Sequence, residues 1–263
     1  MFFRILSILA FVTIAAPANP QTLSGKDREQ LLATARAQYY NLSLLGVSSF
    51  SCNVDVDWDS LFTQINRSAL PPDNPLMLYL AKSRLGVKET VASGAVVTWA
   101  NTGTPPDSVA ASAGQLRGAI EQMLEGYFEA WTPSINGRLF SKDVTGVTAT
   151  GTGYIVTDIN EDKSSDTLTF DKAMLLSHIS NTGAGQNSEY DVKYLKTPQG
   201  WLLSGLDGDT RQLPSGPASH VTTQSEYQTV DDFQLPAVIS LTVKNVATFK
   251  LKLSGCTVEK QAK

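Results

Sequence analysis

The sequence is poor in the residues that most reactions need. It holds two histidines, His178 and His220, which share no i, i+4 or H-x-H spacing and have no cysteine pair beside them. No G-x-S-x-G elbow, phosphate-binding glycine loop or C-x-x-C pair occurs. Those absences exclude the recognisable hydrolase, nucleotide-binding and thiol-redox classes. Basic residues are also few, 21 against 25 acidic ones, and no Lys/Arg cluster stands out. A nucleic-acid footprint or a patch for an anionic membrane surface is therefore not expected. No repeat and no low-complexity linker divides the chain, which reads as a single domain.

Only one long apolar run is present, and it stands at the start. In MFFRILSILAFVTIAAPANPQT, Arg4 precedes an apolar run from Ile5 to Ala16, and Ala16-Pro17-Ala18 forms a small-x-small triplet. This is the pattern of a secretory signal peptide cleaved after Ala18, leaving 19–263 as the exported domain. The run falls short of the ~20 residues that a membrane span requires.

Cysteine is scarce too, with Cys52 and Cys256 the two in the chain. In an oxidising compartment such a pair reads as a disulfide, here joining the first strand to the last. Loop-closure entropy for so long a loop is worth up to about 5 kcal/mol. The side-chain parity of FKLKLSGCTV speaks against it, because Phe249, Leu251 and Leu253 share one face and Cys256 falls on the other. A bulge at Gly255 would turn Cys256 and Val258 inward. The alternative is two unpaired buried thiols.

What is there begins with SFSCNVDVDW. Phe50, Cys52, Val54, Val56 and Trp58 fall on one side of an extended chain, and Ser51, Asn53, Asp55 and Asp57 on the other. Asp55, Asp57 and Asp59 match the start of a calcium loop. Its sixth and twelfth positions, however, hold Ser60 and Asn66 in place of Gly and Glu. No metal site is expected, and the carboxylates read as the solvated face of the strand. Asp207 and Asp209 in LDGDT read as a turn. Asn41-Leu-Ser43 and Asn66-Arg-Ser68 match glycosylation sequons.

Around that strand the pattern is mixed. Ser24 caps a helix expected to run to Gly46, with Leu31, Leu32, Ala35, Tyr39 and Leu42 at helical spacing. Short helices are expected at 59–66 and from Asn74-Pro75 to Arg84, then a hairpin with Ser93-Gly94 in its turn. The most regular helix spans 112–131, with Ile120, Met123, Leu124, Tyr127, Phe128 and Trp131 on its apolar side and Gly114, Gly118 and Gly126 inside it. From Gly137 onward the pattern is strand and turn, with DDFQLP and NVA among the turns. The fold class is α+β: helices against one long, curved antiparallel sheet.

The element order, with GVSSFSCNVDVD as first strand and SEYQTVDDFQLPAVISLTV near the end, resembles the periplasmic outer-membrane lipoprotein carrier (LolA-like) superfamily. The resemblance covers residues 30–58 and 219–255. It implies an incomplete antiparallel barrel with amphipathic helices on its concave side, whose apolar interior receives acyl chains in the periplasm. Lipid or an acylated lipoprotein is the implied ligand, with a membrane-associated protein as a further partner. Neither a cofactor nor catalysis is implied. The 112–131 helix departs from the short carriers, and no functional residue transfers by motif. The ligand-facing candidates come instead from the two apolar faces: Val54, Val56 and Trp58 on the opening strand, and Ile120, Met123, Tyr127 and Trp131 on the helix. That helix is either a lid, which its interior glycines favour, or a fixed core plug. In the second case the chain reads as an interaction or sensor module with its cavity filled.

Overall fold

In the computed structural model, residues 21–261 are described apart from positions 67, 69, 101–102, 140–145, 160–163 and 184. The signal-peptide reading of 1–18 and its cleavage site at Ala18 lie outside the described residues. The chain opens with β1 (Gln21–Thr22), α1 (Gly25–Arg36), β2 (Val47–Val56), α2 (Trp58–Asn66) and α3 (Pro75–Lys82). The hairpin β3 (Arg84–Thr90) and β4 (Gly94–Ala100) follows, then α4 (Ala110–Ala130) and α5 (Thr132–Asn136). The rest is strand: β5 (Gly146–Ala149), β6 (Gly153–Ile159), β7 (Ser165–Asp171), β8 (Leu176–Gly183) and β9 (Gln186–Thr197). It ends with β10 (Gly200–Gln212), β11 (Ala218–Val230), β12 (Phe233–Val243) and β13 (Ala247–Lys260).

Among the described residues, thirteen strands form one open sheet, ordered β1-β5-β6-β7-β8-β9-β10-β11-β12-β13-β2-β3-β4. Every ladder is antiparallel, and from β5 to β13 each strand pairs with the next in sequence. Two junctions depart from this meander: β1 pairs with β5, and the last strand, β13, pairs with β2. Helix α4 touches β4 through Arg117, whose guanidinium lies 5.3 Å from the Trp99 ring centre, and β11 through Tyr127 and Trp131. One helix reaches strands five places apart in the sheet because the sheet curves around it. The result is the α+β architecture expected from the sequence.

Cys52 and Cys256 are disulfide-bonded. The parity problem is solved at Gly255, which has φ +55°. Leu253 pairs with Val54 and Ser254 with Asn53; the register then shifts, and Thr257 pairs with Ser51. Gly255 and Cys256 together oppose Cys52, and beyond the bulge Val258 packs on the core opposite Phe50. A left-handed residue is what this type of bulge demands, and glycine supplies it without steric cost.

Several boundaries differ from the sequence reading. Helix α1 ends at Arg36 instead of Gly46. Tyr39 joins the α1 side of the core, while Tyr40 and Leu42 join the α4 side, so these residues enter two cores that one helix face cannot serve together. Asn41, 8% exposed, accepts a hydrogen bond from the Leu44 amide in a turn, not in a helix. Helix α3 stops at Lys82 and Arg84 begins β3. Asp207 and Asp209 lie inside β10, where β9 and β11 pair on both sides. In DDFQLP only Asp231 and Asp232 turn the chain. Their φ values of 48° and 71° make the two-residue turn matched to strand twist, and Phe233 already opens β12. Pro236 is tolerated within β12 because a register shift interrupts the ladder there.

Candidate functional site

Helix α4 has two apolar stripes with different fates. Ile120, Leu124, Phe128 and Trp131 step by three and four and are fully buried in the main core with Phe50, Val54, Leu251 and Leu253. Met123, Gly126, Tyr127 and Ala130 occupy the neighbouring stripe. They form one wall of a half-open cavity of about 810 Å³. The facing wall is the concave side of the sheet: Ile179 of β8, Tyr190 of β9, Leu206 of β10, Val221 and Thr223 of β11, and Leu241 of β12.

The helix cannot drop into this space, because its C-terminal end is fastened to β11. The Trp131 indole Nε1 donates to the Tyr227 hydroxyl at 3.0 Å, and that hydroxyl donates to the Leu203 carbonyl. Tyr127 donates to the Ser225 hydroxyl at 3.0 Å. Burial pushes the Tyr127 hydroxyl well above its ordinary range and the Tyr227 hydroxyl up to about 12. Both phenols therefore remain protonated donors throughout the physiological range. The rim is polar, with exposed Gln122 and Glu129 on the helix and the Asn181 amide donating to Asp166 at 2.6 Å. An apolar cavity of about 810 Å³ with polar groups at the mouth suits a ligand with a long apolar segment.

The seven candidate contacts separate in the structure. Met123 and Tyr127 line the cavity. Ile120 and Trp131 are 0% exposed and belong to the packed core, as does Val54. Val54, Val56 and Trp58 border a different recess of about 220 Å³, with Asp55, Ser83, Arg84 and Trp99, and Trp58 opens α2 instead of continuing the opening strand, which ends at Val56. Trp58 stacks on Phe62, with ring centres 6.4 Å apart. The apolar side of the opening strand thus faces core and this second recess, not the large cavity. Its carboxylates have local tasks: Asp57 accepts from the Ser60 amide at the start of α2, and Asp55 accepts from the Ser254 hydroxyl.

The sheet wall of the cavity escaped sequence reasoning. Ile179, Tyr190, Leu206 and Thr223 sit in strands rich in Ser, Thr, Asn and Gly, where a cavity-facing side is not marked by strict apolar alternation. The signal available was the two-residue spacing Ile239-Leu241, which places Leu241 on the wall beside buried Ile239.

The histidines are directed away from this site. Ile179 and Val221 line the cavity, so the adjacent His178 and His220 emerge on the opposite face. His178 Nδ1 lies 2.9 Å from Asp191, and His220 lies between Asp207 at 3.1 Å and Asp209 at 3.0 Å. Lys193 also reaches Asp207, and its hydrogen bond holds that carboxyl below the usual range. Comparisons with protein-family models, curated proteins and solved structures return no match to this chain.

Proposed function

We propose that this is an exported, non-enzymatic carrier that holds the acyl chain of a lipid or an acylated protein between α4 and the concave face of the sheet. The single observation that carries this reading is the half-open apolar cavity of about 810 Å³ beside a helix that is fastened in place. Apolar surface that lines a solvent-open cavity stays in contact with water at a cost of about 25 cal/mol per Å². Occupancy by an apolar ligand offsets that cost. The disulfide between Cys52 and Cys256 and the leader pattern at 1–18 support export to an oxidising compartment such as the periplasm. The resemblance to the lipoprotein-carrier superfamily points the same way. The positions of His178 and His220, paired with carboxylates on the face opposite the cavity, support a binding role over catalysis.

Native mass spectrometry of protein purified without detergent tests the reading. The expected result is a population carrying acyl-lipid adducts, lost in Met123→Glu, which places a carboxylate on the cavity wall while leaving the buried stripe of α4 intact. Protein free of adducts that also fails to take up fatty-acyl probes would overturn it.

A further inference from the structure

Among the described residues, the outer edge of β4 is unguarded. In the sheet order β4 is terminal, and among the described residues no strand pairs with its outer side. Protein edges are ordinarily blunted by charge, proline, bulges or brevity. The other terminal strand, β1, is only two residues long. β4 has seven residues, GAVVTWA, with no charged residue and no proline, and its ladder to β3 runs from Arg84–Ala100 to Thr90–Gly94 without a register shift. Val96 is 55% exposed, and the Trp99 indole N–H is buried with no acceptor among the described residues.

We propose that this edge receives the β4 of a second copy of the same chain, antiparallel, about a two-fold axis at Val97. The sequence is its own complement in that register. On the helix-covered face, small Ala95 stands opposite large Trp99 of the second copy, and the converse pair repeats across the axis. On the other face, Val96 stands opposite Thr98 of the second copy, a pairing of β-branched residues that sheets favour. Because the strand is uncharged, no like charges meet, whereas an unrelated strand would have to match this small–large alternation by chance. Two seven-residue strands bury less than the ~1,600 Å² of a standard stable interface, so the dimer is concentration-dependent.

Sedimentation velocity across a concentration series, run on the intact protein, tests the proposal. Wild type is expected to shift from monomer to dimer with rising concentration. Val96→Lys with Thr98→Lys places like charges opposite each other at both symmetry-related pairs and should weaken association at least roughly tenfold. Val96→Lys with Thr98→Glu converts the same pairs to opposite charges and should restore it. Both positions are exposed, and circular-dichroism melts that match wild type establish that each variant is folded. A wild type that stays monomeric, a dimer indifferent to the lysine pair, or a charge-swapped variant that fails to reassociate would each overturn the proposal.

Discussion

Trp131, which caps α4, and Tyr227 on β11 share a hydrogen bond of 3.0 Å while their rings stack with centres 6.4 Å apart. The Tyr227 hydroxyl passes the link on to the Leu203 carbonyl, so one phenol ties a helix to two strands. This fastening keeps α4 beside the cavity instead of inside it. Tyr227→Phe keeps the ring but leaves a buried indole N–H and a buried carbonyl without their partner. Such orphaned groups cost about 1–3 kcal/mol. Urea denaturation should show a loss in that range, and a bound fatty-acyl probe should exchange faster.

The disulfide joins adjacent strands that lie 204 residues apart in sequence. Its main effect is on the unfolded chain, whose ends it keeps together. Replacing both cysteines with serine should lower stability by roughly 2–5 kcal/mol, read from denaturation midpoints of the oxidised wild type and the variant. Thiol alkylation of oxidised, folded protein should label neither residue.

Glu89 is 1% exposed on the inner face of β3, and neither carboxyl oxygen has a hydrogen-bond partner among the described residues. Burial pushes its carboxyl up to about 7 from an ordinary 4.5. The folded protein holds a proton that the unfolded chain releases earlier, so the contribution of Glu89 to stability is greatest below about pH 4.5 and is lost as pH rises from there to about 7. Glu89→Gln should flatten the stability profile between those limits. Asp207 and Glu259 act in the opposite sense. Their carboxyls are lowered, chiefly by the hydrogen bonds from Lys193 and Ser49, so their contribution is lost as pH falls below the ordinary carboxylate range. That acid limb should persist in the glutamine variant.

The interior glycines of α4 can be tested individually. A methyl group at Gly118 or Gly126 meets nothing within 4 Å. Alanine should therefore stabilise each site by up to about 1 kcal/mol. Gly126→Ala also intrudes on the cavity wall and should reduce uptake of a fatty-acyl probe, whereas Gly118→Ala should not. Gly208→Ala is the contrasting case, because its methyl would collide with the Glu189 carbonyl. Thermal unfolding distinguishes the two classes of site.

Legibility in the sequence followed how sharply burial imprints a pattern. The α4 helix and the Gly255 bulge were legible because deep burial leaves an unbroken apolar stripe, and Cys256 could reach Cys52 only by a change of parity. The end of α1 was not legible: Tyr39 and Leu42 continue the helical spacing by coincidence while serving separate cores. The helical wall of the cavity was partly legible, through Met123 and Tyr127. Its sheet wall was not, since a surface facing an open cavity is under weaker pressure to be apolar than one facing packed side chains. Trp131 was read as a ligand contact because an aromatic on an apolar stripe looks the same whether it meets a ligand or a tyrosine hydroxyl.

The central claim is that the apolar ligand lies between α4 and β8–β12. Photo-crosslinking with a fatty acid that carries a diazirine near its methyl end, followed by peptide mapping, addresses it most directly. Adducts should fall on the peptides that contain Met123, Ile179 and Leu206, and Met123→Glu should abolish them. Adducts concentrated at Val56 and Trp58 in the second recess, or scattered over the outer face around His178 and His220, would contradict it.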